Sequence, residues 1–391
     1  MRKRGHYQSI EAPLSNNIPD DLMVDVLARL PVASLLRFRC VSKRWCALID
    51  SPNFLNMQLN QSLTTNTNHS LIFEYDASPD HDLGSAGLDS LDDIWKHDDN
   101  IVPPVKLEYR VEERFHIIGS CNGLICLMRD DDWYNCGTSP ILFNPSTKKH
   151  QILPSTLQPF ADIFSQVFGF GYDPVNDDYK IVWVAYVYDD SDLSADAPLN
   201  SCGAVFTLRS NKWRWIHIQD GFPHLFNFSG VVFNGALHWV ATRRPKSNVD
   251  NFIFAFDLVA ENFREVKLPS TSGYRSVTLG VSGGCLWAGY IDYDYLVELW
   301  VMKSWTNLSF AIPRNRVKPL DFSNKDNLLS KIDHFLLVSN VEKKKNTHRY
   351  LGIPCDSQLG SLRCYDQDND GETFMLVVKD AEIFLESIVS P

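Results

Sequence analysis

Two spacings divide the chain. Between residues 18 and 59 apolar side chains recur every three or four positions, as on one face of a helix; from about residue 70 they alternate with polar ones in short runs bounded by turn residues, as in strands. In IPDDLMVDVLARLP, Leu22, Met23, Val26, Leu27 and Leu30 mark a first helix, with Pro19 suited to its opening turn and Asp20 and Asp21 to the positive end of its dipole. Pro31 ends it. A second short helix runs through Leu35, Leu36, Phe38 and Arg39, and Ser42 is placed to cap a third that presents Trp45, Leu48 and Ile49 on one face. SPNFLNMQL restarts a turn at Pro52 and leads out of the block.

Roughly forty residues in three short helices bury too little surface to hold a self-sufficient core. The apolar residues outnumber what the helices can hide, so a second surface is implied: the rest of this chain or another protein.

The β region carries a loose repeat. LFNPSTKKHQILP from Leu142, VFTLRSNKWRWIHI from Val205 and AFDLVAENFREVKLP from Ala255 share one form, and LWVMKSWTNLSFAIP from Leu299 is a weaker fourth copy. Each follows a strand opened by a turn, in SCNGLICL, FGFGYDPVNDDYKIV, FNGALHWV and SGGCLWAG. The turn residues Gly123, Asp177, Gly235 and Gly284 stand roughly fifty residues apart, close to the period of kelch-type propeller blades. HSLIFEYD at residue 69 is expected to begin a further blade and residues 334 to 389 to form one more, which makes six. The aspartate- and serine-rich stretch 76 to 104 reads as a surface loop.

A chain of 391 residues, 44% hydrophobic and 12% aromatic, can bury a substantial core. No apolar run reaches eighteen residues and MRKRGHYQSI is not followed by an apolar stretch, so neither a membrane span nor a secretory signal is expected. The expectation is a soluble cytoplasmic and/or nuclear protein, with the cations of MRKRGH read as a solvated tail. Nine cysteines without a CxxC pair read as reduced thiols. The net charge of −11 lies almost wholly in the β region, since residues 18–59 set five cations against four aspartates. Nucleic acid, which needs a basic footprint, is an unexpected partner.

At this point a resemblance enters. Residues 18 to 54 resemble the F-box in Ile18 and Pro19, Leu30 and Pro31, Leu35 and Arg37, Val41 to Lys43 with Trp45, then Ser51, Pro52 and Phe54. GSCNGLICL, LFNPSTKKHQILP, FGFGYDPVNDDYKIV, NGALHWV, FAFDLVAENFREVKLP and FLESIVSP resemble, in order, the plant F-box-associated domain. The resemblance implies an α+β multidomain chain: a tail at 1–17, a three-helix F-box at 18–59, and an all-β propeller-like domain of about six blades at 60–391. It further implies the substrate-recognition subunit of an SCF-type ubiquitin ligase. The F-box would dock on a Skp-type adaptor, and through it cullin, by Ile18, Pro19, Leu22, Val26, Leu30, Pro31, Leu35, Arg37, Val41 and Trp45. An adaptor-bound scaffold outside the ligase and a propeller enzyme are the alternatives. VMKSWTNL and NVEKKKNTHRYLGI depart from the family pattern, so a shortened or irregular sheet is expected in the fourth and later blades.

Target binding is expected on loops at one end of the propeller, where strands supply a rigid body and loops the variable chemistry. Asp130, Asp131 and Asp132 mark one such loop, Asp189, Asp190 and Asp192 a second, and Arg243 and Arg244 a third. Catalytic chemistry is not expected. No GxSxG or phosphate-binding loop occurs, and the histidines, among them His116, His217 and His238 within strands, do not cluster at metal spacing. In DQDNDGETFMLV, Asp366, Asp368 and Asp370 match half an EF-hand loop, but Phe374 and Val377 stand where ligands belong, and the segment reads as a solvated turn. Of Trp213, Trp215, Trp239, Trp287, Trp300 and Trp305, most are expected in packing between blades. No cofactor, nucleic acid or membrane is assigned as a partner.

Overall fold

Ser42 and Ser51 punctuate the front of the chain. Four helices form there: α1 (Asp20–Ala28), α2 (Val32–Phe38), α3 (Lys43–Ile49) and α4 (Pro52–Thr65). The Ser42 hydroxyl accepts from the Trp45 amide at 3.1 Å and caps α3. Ser51 accepts from the Phe54 amide at 3.3 Å and donates to the Leu48 carbonyl at 2.7 Å, so one hydroxyl serves the end of α3 and the start of α4. The fourth helix corrects the three-helix expectation. Its buried positions are Phe54, Gln58 and Ser62, four apart, so its inward stripe is mostly polar and carries no apolar period to read. It also runs across the expected boundary at residue 60.

This computed structural model describes residues 20–65, 67–77, 80–87, 105–111, 115–129, 139–155, 165–187, 200–219, 221–243, 251–269, 274–282, 284–292, 297–302, 306–310, 317–323, 327–332, 335–340, 348–350, 363–364, 373–374 and 378–389. Among them the strands build six four-stranded blades. Blade six takes β1 (His69–Ala77), β2 (Asp80–Gly87) and β3 (Val105–Val111); blade one takes β4 (Phe115–Cys121), β5 (Leu124–Arg129), β6 (Ile141–Asn144) and β7 (Lys149–Ile152). Blade two is β8 (Ser165–Asp173), β9 (Asp178–Val187), β10 (Asn200–Thr207) and β11 (Lys212–Ile216). Blade three is β12 (His224–Phe233), β13 (Ala236–Thr242), β14 (Asn251–Asp257) and β15 (Phe263–Val266). Blade four is β16 (Tyr274–Ser282), β17 (Cys285–Asp292), β18 (Val297–Val301) and β19 (Thr306–Phe310). Blade five is β20 (Val317–Ser323), β21 (Asn327–Ile332), β22 (Phe335–Asn340) and β23 (His348–Tyr350). A two-stranded piece, β24 (Arg363–Cys364) with β25 (Thr373–Phe374), precedes β26 (Val378–Leu385), which returns to pair with β1 and completes blade six. Each blade's inner strand packs on the next, from β26 through β4, β8, β12, β16 and β20 back to β26, so the ring is closed.

The count of six agrees with the sequence reading, but its division does not. Residues 334 to 389 are not one blade: blade five begins at Val317, and the last strand joins the first three. Residues 80–87 are likewise not loop, because β2 pairs with β1 from Ser70↔Gly87 to Ala77↔Asp80. DHDLGSAG contains a single large apolar residue, the buried Leu83, and is held by the ladders on either side rather than by its own alternation. Blade four has its full four strands in place of the shortened sheet expected there.

The repeated segments are the third and fourth strands of blades with the turn between them. Asn144 and Asp257 open two of these turns by accepting from backbone amides three residues on, at 3.0 and 2.8 Å. Four residues after Asn144, Thr207 and Asp257 the backbone enters the left-handed region, at Lys148, Asn211 and Glu261. The first two strands of blades one and three meet in tight turns at Asn122-Gly123 and Asn234-Gly235, both residues of each at positive φ, as a two-residue hairpin with the right twist requires. Faces of neighbouring blades then interlock. Ile118, Leu124 and Met128 meet Phe168, Phe170 and Trp183, while Val182, Val184 and Tyr186 on the other face meet Leu237 and Trp239. Trp239 and Trp287 are buried as expected, Trp213 and Trp300 are half-buried, Trp215 is 42% exposed, and Trp305 lies outside the described residues.

One polar group ties blade two to blade three from inside. Lys180, its side chain 4% exposed, donates to Asp173 Oδ2 at 2.7 Å and to the Leu258 carbonyl at 2.6 Å, and pairs with Glu261 at 3.0 Å; Glu261 also meets Arg214. Asp173 further accepts from the Val175 and Asn176 amides. Burial alone would raise the Asp173 pKa, but the bonds from Asn176, Lys180 and the backbone outweigh it and hold the carboxyl down at about 2. Replacing Lys180 by Met should therefore cost about 3–5 kcal/mol in urea denaturation, because it strands a buried carboxylate. In the wild type the Asp173 contribution should be complete above its ordinary pKa of 3.8 and should disappear as pH falls through about 2, which acid-dependent melting can follow.

Candidate functional site

The helical module has an inside and an outside. Leu27, Ala28, Val32, Leu35, Ile49 and Phe54 form its buried cluster, joined by Ile388 from beyond β26. On the outside, large apolar side chains stand in water: Leu22 is 58%, Val26 59% and Val41 62% exposed. Leu22 and Val26 are one helical turn apart and form a stripe on α1, whereas Val41 lies in the turn between α2 and α3. Pro31 is exposed, Leu30 and Trp45 are half-buried, and Trp45 meets Phe38 edge-on at 5.4 Å between ring centroids. Burying such side chains is worth ~1.5–3 kcal/mol each, so an exposed set this size is a free-energy source for a partner.

The residues expected to bind an adaptor thus fall in two groups. Leu22, Val26, Pro31 and Val41 face out, with the exposed Arg37 beside them in sequence, while Leu35 has no exposed surface and packs inside the module. Ile18 and Pro19 lie outside the described residues. Lys43 and Arg44 are exposed on α3; Arg29 pairs with Asp25 at 3.2 Å, and Arg39 holds Asp50 through two nitrogens, bridging the end of α2 to the end of α3.

The propeller's two ends differ in how its strands are joined. β8 and β12 run parallel, meeting at Ser229↔Phe168, so β9 and β13 run parallel too, and the chain leaves both at the same end of the ring. The segments that join second to third strands of blades one, two and three, after Arg129, Val187 and Arg243, hold the three expected target loops. Asp130, Asp131, Asp132, Asp189, Asp190, Asp192 and Arg244 themselves lie outside the described residues, as do Asp366, Asp368 and Asp370. Arg243 is described and already engaged: it pairs with Glu265 and its guanidinium sits 4.7 Å over the Phe252 ring. The basic character expected there is thereby reduced.

The helical module sits at the other end. Ser387, just before Ile388, donates to the carbonyl of Asn122 in the first turn of blade one, on the opposite side of β5 from Arg129. β9 has ten residues, so the two ends are about 30 Å apart at ~3.3 Å per residue.

Among the described residues no group of His, Cys, Asp and Glu is arranged to hold a metal ion, and no described helix is long and apolar enough to cross a membrane. Burial pushes the Cys121 thiol up to about 12 and the His238 imidazole down to about 4, leaving both neutral at ordinary pH. His238 and His116 are packed against Phe233 and Phe228. His217 is exposed. Sequence reasoning missed Ile388 and the buried Asn144 that positions it; FLESIVSP and LFNPSTKKHQILP held both, as features of a family pattern without a contact to explain them.

Comparison with known proteins adds the family context. Residues 15–57 match the F-box domain, and residues 90–334 match the F-box associated beta propeller domain. Similar proteins include "F-box protein CPR1" of Arabidopsis thaliana, 32% identical over 84% of this chain and 83% of that one. "F-box/kelch-repeat protein At3g23880" of the same plant is 27% identical over 96% of each. Among solved structures, the β-propeller domain of the Trilobed protease from Pyrococcus furiosus superposes with a TM-score of 0.37 at 8% identity, covering 74% of this chain and 96% of that one. A chain of the Nidogen/Laminin Complex gives 0.44 at 12% identity, covering 82% and 99%.

The division of the helical module into inside and outside makes a direct forecast. Leu22→Ala with Val26→Ala should change the stability of the isolated chain by less than about 0.5 kcal/mol per site, whereas Leu35→Ala should cost about 2–5 kcal/mol. Urea midpoints of the purified variants check it.

Proposed function

Since this chain belongs to the plant F-box proteins that carry an F-box-associated β-propeller domain, we propose that it is the substrate-recognition subunit of an SCF-type ubiquitin ligase. The helical module docks on a Skp-type adaptor, which links it to cullin, and the far end of the propeller captures a protein target. The chain itself is non-catalytic and works in the cytoplasm or nucleus. The observation that carries this reading is the exposure of Leu22, Val26 and Val41 on a module whose own core is already filled. A complete core with surplus apolar side chains outside it is what half of an intermolecular interface looks like.

The adaptor contact is assigned to Ile18, Pro19, Leu22, Val26, Leu30, Pro31, Val41 and Trp45, with Arg37 at its rim and Leu35 supporting from within. Rim cations such as Arg37 and Lys43 would raise the association rate toward an acidic adaptor more than the affinity. Target capture is assigned to the segments with Asp130 to Asp132 and Asp189, Asp190 and Asp192, which favour a basic ligand, and to the neighbouring segment with Arg244. Such steering weakens with salt over a Debye length of roughly 8 Å at physiological strength.

The triple change Leu22→Ala, Val26→Ala and Val41→Ala tests the assignment. The folded variant should lose more than about tenfold in affinity for a purified Skp-type adaptor, as loss of several buried anchors predicts, and should no longer co-purify cullin. Undiminished adaptor binding by the folded triple variant would sink the reading. Adaptor binding without cullin would mark a scaffold acting outside the ligase. Changing the six aspartates to asparagine should leave the adaptor bound and reduce recovery of basic targets at low salt; equal recovery would move capture to another surface.

A further inference from the structure

The end of the chain makes contacts that neither ring closure nor adaptor docking requires. After β26 has paired with β1, the Glu386 amide donates to the Asn68 carbonyl at 2.7 Å, and Ser70 Oγ donates to Glu386 Oε1 at 2.6 Å. Ser387, with no exposed surface, donates its hydroxyl to the Asn122 carbonyl of blade one at 2.8 Å. Asn144, also fully buried, stands at the end of β6 and donates to both the Ser387 carbonyl at 3.0 Å and the Val389 carbonyl at 2.6 Å. Ile388 lies between those two anchored carbonyls. It is 8% exposed and is, among the described residues, the only one from outside the helices in the helical module's buried cluster.

Four residues therefore touch three bodies: blade six through Glu386, blade one through Ser387 and Val389, and the helical module through Ile388. Ring and module are also joined where α4 leads into β1. There Asn68, held at positive φ, donates to Ser62 Oγ at 2.8 Å, and Ser62 in turn accepts from Gln58 Nε2 at 3.1 Å. A single covalent junction leaves a rigid module free to swing about it, whereas a second attachment on another blade removes that freedom.

We infer that residues 386–389 are a strap that fixes the helical module in one orientation on the ring, so that the adaptor face and the loop end keep a constant separation. The strap rests on the proposed function only for its consequence: a target held at the loop end would be presented to the ligase at one position. With the strap released, both ends keep their surfaces and lose their mutual geometry.

Spin labels carried by non-natural amino acids at the exposed Lys43 on α3 and Lys212 on β11 report the orientation of the helical module on the ring in the full chain. The intact protein should give one narrow distance distribution. Ile388→Ser, and separately a chain ending at Glu386, should broaden it at least twofold while retaining a cooperative melt of the ring and faster proteinase K cleavage at residues 66–69. A distribution as narrow as that of the intact chain in a folded variant overturns the strap. Should neither variant fold, hydrogen exchange of the unaltered protein decides. Protection of the Glu386 and Val389 amides lost together with that of α2 as denaturant rises supports the strap, and tail amides that exchange freely while α2 stays protected overturn it. The distance is read without adaptor, so a failure of the intact chain to bind one counts against the ligase reading alone.

Discussion

Pairing of β26 with β1 joins residues 316 positions apart, and the remaining architecture depends on it. A blade has apolar faces on both sides, so an open row of blades would leave two of them wet; closing the row into a ring removes both ends at once. The entropic cost of closing so long a loop grows only with the logarithm of its length, while the gain is a full ladder from His69↔Leu385 to Tyr75↔Val378 and the burial of Ile72 and Leu83 against blade one. The placement of the helices follows from the same event, since the residues that anchor them come directly after the closing strand.

The ring gives the protein polarity. Tight hairpins and the left-handed positions at Lys148, Asn211 and Glu261 crowd the end that carries the helices, where backbone geometry is fully specified by short turns. Glu261 shows the principle in one residue: its unfavourable backbone is held by the same carboxylate that engages Lys180 and Arg214. The connections from second to third strands of blades one and two are longer, and their sequences are acidic. In the function proposed above, the end with short fixed turns serves attachment and the end with longer connections serves recognition.

Much of this was readable before any coordinates. Three helices with their Ser42 cap, blades one to three, and the burial of Trp239 and Trp287 follow from local period and turn chemistry. What escaped was nonlocal. β2 has no alternation because its stability comes from two neighbours; α4 hides its buried stripe in Gln58 and Ser62; blade six is divided between the two ends of the sequence, where no local signal reports the pairing. Leu35 is buried in the helical module, and a motif does not say which of its apolar members point inward. Lys180 and Asp173 carry no local signal of their role, because only the approach of blade three makes them an internal clamp.

The separation of β1 from β26 also bears on how the protein is made. A ribosome adding about 5–20 residues per second needs on the order of 15–60 s to go from the first of these strands to the last. Through that interval β1 has emerged with one edge unpaired, as have the apolar faces of the first and last blades, and no part of the ring can close early. Unlike a protein whose domains finish one after another during translation, this one completes its largest domain only once β26 has been made. Its nascent form thus carries an open strand edge and two uncovered blade faces for most of its synthesis.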